Sequence, residues 1–168
     1  IVGQPASCLA RDDGEGGGRQ EFNGIITEFS LIREFFPQQK QGQSGGSPQY
    51  FNRYRARLRP RLWRLTQSQH CRFFHDKAAL EIITPIVQDA QLDLQNQCRT
   101  NYRKRPHCVQ YHESDFAFIS RLMEEEGICY FFQHEDNKDQ LVLADNTSKR
   151  NVLLSTGSLT YRDQPKRL

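Results

Sequence analysis

The sequence of 168 residues holds one methionine and one tryptophan, and no apolar run near the ~18 residues that a membrane-crossing helix needs. It contains no CxxC pair, no HExxH, no GxxxxGK[ST] and no GxGxxG, and its one GxSxG match, Gly42 to Gly46, falls inside a polar, glycine-rich stretch rather than at a strand-to-helix turn. The spacings that mark zinc ribbons, zinc peptidases, P-loops and dinucleotide sites are therefore missing, and the GxSxG match lacks the strand and helix that a nucleophile elbow joins. Neither sign of charge dominates, with 23 Lys and Arg against 20 Asp and Glu and a net charge of +3. Such a balance argues against a protein whose whole surface is built for polyanions. The chain has no initiator methionine, and Ile1 to Ala10 lacks the basic start and long apolar run of a signal peptide. We expect an internal piece of a longer protein.

What is present is modest in apolar content and rich in rings. Hydrophobic residues make up 36% and mean hydropathy is -0.77, so eleven Phe and six Tyr must supply much of the buried area. Five cysteines (Cys8, Cys71, Cys98, Cys108, Cys129) are odd in number and scattered. They read as reduced thiols of a cytosolic protein rather than as a disulfide framework.

Along the chain, "ARDDGEGGGRQ" (Ala10 to Gln20) reads as a hairpin loop followed by the strand "EFNGIITEFS". "PQQKQGQSGGSPQ" (Pro37 to Gln49) reads as a second, longer loop. In "YRARLRPRLWRL", Tyr54, Ala56, Leu58, Pro60 and Leu62 alternate with Arg55, Arg57, Arg59 and Arg61. Period two predicts a strand with one apolar and one arginine face. Pro60 places it at a sheet edge or beside a bulge, and Trp63 breaks the alternation, which suggests a bulge or bend. Next, Asp76 is expected to cap a helix from about Lys77, with Leu80, Ile83 and Val87 on one face, Ile82 and Ile86 alongside, and a possible kink at Pro85. Cys108 to Tyr111 reads as a short strand.

"HESDFAFISRLMEEEGICYFF" (His112 to Phe132) is the most structured reading. Ser114 suits an N-cap, Gly127 suits the left-handed residue after a helix, and Phe116, Ile119, Leu122 and Met123 form the core-facing stripe between them. "ICYFF", the turn "HEDNKD" and "QLVLAD" complete a strand, helix, strand, turn, strand unit.

Glu124, Glu125 and Glu126 occupy successive helix positions about 100° apart, so they cannot converge on one atom. They read as a solvated face paired to nearby arginines, with Arg121 among the candidates, or as inter-subunit ion pairs, before they read as catalytic acids. His70-Cys71 and His107-Cys108 point to opposite strand faces, so neither pair chelates one metal. No catalytic, cofactor-binding or metal residue is assigned. The interface candidates are Arg55, Arg57, Arg59, Arg61, Trp63, Arg121 and the three glutamates. The arginines, with Arg99, Arg103, Lys104 and Arg105 around Tyr102, leave a nucleic-acid-binding module as a more distant alternative.

The segments "YRARLRPRLWRLTQSQHCRFFHDK", "EII", "VQYHESDFAFISRLMEEEGICYFF" and "LVLADN" occur in an order that resembles VgrG, the spike family of bacterial type VI secretion systems, in its phage baseplate-hub-like part. The resemblance covers about Ile1 to Asp145. It implies an α+β, mainly β fold: an antiparallel β-barrel hub domain, here truncated, with an α/β insertion. Residues 1–75 would form part of the first barrel, 76–145 the α/β hub-like region, and 146–168 the start of the following β segment. It further implies a homotrimer seated on an Hcp tube, baseplate contacts, a PAAR-tip protein and effectors carried by the full-length protein. No enzymatic activity, small-molecule substrate, cofactor or nucleic acid is expected. The protein would reside in the bacterial cytoplasm until contraction injects it into a target cell. A hub protein of a prophage or related contractile particle is the nearer alternative.

Overall fold

The computed structural model describes residues 1–11, 19–32 and 52–146. Two extended segments open the chain: β1 (Pro5–Arg11) and the long β2 (Arg19–Ile32), which pair antiparallel from Pro5↔Ile25 to Arg11↔Arg19. β3 (Arg53–Arg59) adds to the other side of β2, giving the order β1-β2-β3. Thr27 is left over between the Ile26↔Leu58 and Glu28↔Arg57 pairs, so the bulge lies in β2, opposite the arginine strand. Gly24 has a steric cause: a Cβ there would stand 2.2 Å from the carbonyl oxygen of Arg59.

The alternation read through Tyr54 to Leu62 ends sooner than expected. The strand stops at Arg59, and a 3₁₀ helix occupies Arg61–Thr66. Pro60 lacks the N–H that a ladder needs, and Leu62 and Leu65, three apart, both turn into the core. The irregularity expected at Trp63 is this helix.

β4 (Gln69–Lys77) and β6 (Arg105–Ser114) form a two-stranded antiparallel ribbon. β4 carries through Asp76, so Asp76 does not cap a helix. Helix α1 (Ala79–Asp89) starts three residues after Asp76, with the Glu81 carboxylate accepting the Ala78 N–H at 2.7 Å. α1 runs through Pro85 and buries Ala79, Ile82, Ile83, Ile86 and Val87, while Leu80 is only partly buried. The expected boundary near residue 76 falls inside β4, which pairs with the later β6.

Helix α2 (Asp115–Glu126) has the expected ends. Ser114 Oγ accepts the Ala117 N–H at 3.1 Å. Gly127 sits at φ 68°, and the N–H groups of Gly127 and Ile128 close back onto Glu124 and Met123 carbonyls, which satisfies carbonyls that a bare helix end would orphan. β7 (Cys129–Glu135) and β8 (Lys138–Ala144) form a hairpin whose turn residues Asp136 and Asn137 both take positive φ, the pairing a two-residue turn of right twist requires. β5 (Leu94–Asn96) lies parallel to β8 on its other side, giving the order β5-β8-β7.

One core joins these parts. Leu62 and Leu65 of the 3₁₀ helix meet Ile82, Ile83 and Val87 of α1, Phe118, Ile119 and Leu122 of α2, and Leu141 and Leu143 of β8. The fold is α+β and mainly β. Among the described residues the strands make three separate sheets, and β1 and β3 leave the first of them open at both edges. The Pro37 to Gln49 loop and the expected β segment after Asn146 lie outside the described residues.

Candidate functional site

The arginine strand presents its charges as the alternation requires. Arg53, Arg55, Arg57 and Arg59 share one face with Ile32, Ser30, Glu28 and Ile25 as cross-strand partners. Arg57 Nη1 donates to Glu28 Oε1 at 2.6 Å, and Arg59 stands 3.5 Å from the same oxygen. Arg59 also lies over the Trp63 ring, 5.7 Å from its centre. Arg55 makes no ion pair among the described residues and is exposed. The opposite, apolar face is also open: Phe29 stacks on Tyr54 at 5.4 Å, yet Phe29, Leu31 and Tyr54 are all exposed.

Arg61 departs from this group. Its Nε donates to Asp139 Oδ1 at 2.5 Å, an Nη2 donates to Asp93 Oδ2 at 3.0 Å, and its backbone N–H donates to Asp139 Oδ2. Asp139 is buried. The candidate interface arginine is thus an internal clamp between the end of β3 and the β5-β8-β7 sheet. Burial lowers the Arg61 pKa, but its hydrogen bonds and charge pairing with Asp139 and Asp93 outweigh this and keep it above the ordinary value. No sequence signal singled out Asp139, at the start of β8, or Asp93, just before β5, because their partner Arg61 lies 78 and 32 residues away.

The glutamates of α2 divide by position. Arg105 donates to Glu125 and, at 2.6 Å, to Glu126. Arg121 donates to Glu113 at 2.7 Å and lies 5.3 Å from the centre of the Phe118 ring. These pairs hold the Glu125 carboxyl below its usual range, chiefly through Arg105. Glu124 faces solvent, with no ion pair among the described residues. Two arginines therefore lock the helix to β6, and the three acids do not converge.

In the helix core, Ile119, Leu122 and Met123 are buried, whereas Phe116 is only partly buried and Phe118 takes the central place, stacked on Phe74 at 5.6 Å. The buried stripe is 115, 118, 119, 122 and 123. It begins with Asp115, which lies 3.0 Å from His70 Nδ1 and accepts from Arg72 and Gln110 at 2.8 Å each. Burial alone would raise the Asp115 pKa, but Gln110, His70 and Arg72 together hold it below the ordinary value. This network was not foreseen, because a buried Asp and a buried Gln look like surface residues in sequence.

Clefts open on the surface of the described residues. One, of about 290 Å³, lies among Phe22, Asn23, Leu58, Arg59, Pro60 and His134. His134 Nδ1 there accepts the Asn23 N–H at 3.0 Å, so the ring braces β2. Another, of about 550 Å³, combines Glu81, Tyr102, Arg103 and Lys104. Among the described residues, no three His, Cys, Asp or Glu groups gather as a metal cluster, and no helix is long and apolar enough to cross a membrane.

The arrangement is that of a braced structural part, and comparison with known proteins agrees. The chain is 38% identical over 147 residues to the type VI secretion system spike protein VgrG1b of Pseudomonas aeruginosa, covering 86% of this chain and 18% of that protein. It is 39% identical over 146 residues to VgrG1a of the same organism, covering 86% of this chain and 20% of that one. The chain thus spans about a fifth of these relatives' length. Among solved structures, the E. coli c3393 protein, a type VI secretion component described as structurally similar to the T4 phage tail proteins gp27 and gp5, superposes with a TM-score of 0.65 at 25% identity, covering 79% of this chain and 35% of that one. The phage tail baseplate hub (GPD) model matches residues 1–167. The chain belongs to the phage tail baseplate hub family.

Proposed function

We propose that this chain is a hub segment of a trimeric type VI secretion spike, and that its work is mechanical. The observation that carries the reading is the hub-family match over residues 1–167 together with 38–39% identity to spike proteins. The geometry supports it. Arg61, Arg72, Arg105 and Arg121 each tie together separate elements of the fold. The open sheet β1-β2-β3 keeps Phe29, Leu31 and Tyr54 exposed, which suits burial against a neighbouring part of the assembly. In this reading the full-length protein sits on an Hcp tube, contacts the baseplate, carries a PAAR-tip protein and effectors, waits in the bacterial cytoplasm and leaves on contraction. Neither a catalytic residue nor a cofactor is needed.

The test is genetic. In a strain whose other spike genes are removed, deletion of this gene should abolish release of Hcp into the medium, and the full-length gene should restore it. Unchanged Hcp release after deletion would overturn the reading. The family's phage name favours one rival, a prophage hub; particles with tails that disappear on deletion, with Hcp release unaffected, would establish it.

A further inference from the structure

His75 and His107 stand directly opposite one another on β4 and β6. Their Nδ1 atoms are 3.1 Å apart and their rings nearly perpendicular, at 86°. Both side chains are exposed. The backbone beneath them is fixed from the other side of the ribbon: the adjacent pair is Phe74↔Cys108, with Phe74 stacked on Phe118 and Cys108 buried.

Two imidazoles that share one metal at bonds of about 2.0–2.1 Å place their nitrogens roughly 3.3–3.4 Å apart at a tetrahedral angle and about 2.8–3.0 Å apart at a right angle. The separation of 3.1 Å lies between these limits. We infer that His75 and His107 form a chelating pair for a divalent transition-metal cation of the kind that prefers imidazole, with copper(II) bound most tightly and zinc less so. The ring that donates from Nδ1 to its neighbour moves that hydrogen to Nε2, so both Nδ1 lone pairs become free with no net gain or loss of protons.

The surrounding charge tolerates the cation. Lys77 and Arg105 are the next cross-strand pair, two residues along the same faces. The Arg105 guanidinium is already engaged by Glu125 and Glu126, which leaves Lys77 as the opposing charge. On the other side, Phe73 and Val109 are apolar. Two protein ligands leave the remaining positions to water or to a carboxylate of another molecule. The sequence hides this pairing across strands: His107 stands beside Cys108, His75 has no metal-ligating motif around it, and the two lie 32 residues apart.

The experiment is a titration of the full-length protein with copper(II) chloride and then zinc chloride, read by calorimetry, with electron paramagnetic resonance on the copper form. We expect one saturable copper site per chain, a spectrum split by two imidazole nitrogens, and displacement of copper by excess chelator. Losses of supporting residues alone cost about 10–100-fold in metal affinity, so His75→Gln or His107→Gln should each weaken binding at least tenfold. His112→Asn, which keeps an exposed residue at a positive φ of 48°, should leave binding unchanged. Absence of saturable binding, or a site unmoved by both Gln variants, would overturn the assignment. Should those variants fail to fold, the spectrum of the unsubstituted protein decides, because a signal lacking two imidazole nitrogens rejects the pair.

Discussion

Arg61 Nε meets Asp139 Oδ1 at 2.5 Å across 78 positions of sequence. The contact pins the first sheet's connection to the third sheet, and the same carboxylate caps the Arg61 backbone N–H. Removing Asp139 would leave the Arg61 Nε–H and backbone N–H without their acceptor, with only the Asp93 contact at Nη2 remaining. Asp139→Ala should cost about 2–4 kcal/mol, below the ~3–5 of a fully buried pair because the Arg61 side chain keeps 21% of its exposure. Urea unfolding would measure this, and a loss under half a kcal/mol would show the clamp to be incidental.

Acid should destabilise the fold through Asp115. Its folded pKa lies below the ordinary carboxylate value because Gln110, His70 and Arg72 outweigh its burial. A depressed folded pKa gives stability that is complete above the unfolded value, about 3.9, and is lost as pH falls through the folded value. Asp145 acts with the same sign, held down mainly by hydrogen bonds from Thr100. Unfolding midpoints should therefore fall steeply only below about pH 4. Asp115→Asn should flatten that slope; an unchanged slope would remove Asp115 from the explanation.

Leu122 is fully buried on α2. Leu122→Ala should cost about 2–5 kcal/mol. Leu122→Asp should prevent folding, since an unpaired charge in that core costs more than a domain of this size can lose. Circular dichroism would check both, and a native melting curve for Leu122→Asp would show that the face is not core.

Gly24→Ala should loosen β2 from β3. The added methyl would meet the Arg59 backbone carbonyl, which cannot rotate away as a side chain could. The expected loss is at least about 1–3 kcal/mol, with faster amide exchange confined to β2 and β3. Protection equal to the parent's would show that the strands can part without cost.

Much of the second half was legible because local and tertiary signals agree there. Ser114, Gly127 and the Asp136-Asn137 turn each demand one backbone conformation, and each adopts it. The misreadings share a cause. Arg61 continues an alternation that only Pro60 and the spacing of Leu62 and Leu65 could have ended. Asp76 looks like a cap until β4 is known to pair as far as Lys77↔Arg105. Phe116 and Phe118 both fit a helical stripe, and the choice fell to Phe118 because Phe74 lies against it. The charged networks were invisible because the charged partners of Asp93, Asp115 and Asp139 lie 32 to 78 residues away.

The central claim is that this chain belongs to a trimeric spike that works as a rigid part. Its most direct test is the solution mass of the full-length protein by light scattering at low micromolar concentration. The account predicts a stable mass of three chains that survives dilution. A single-chain mass under the same conditions would contradict it.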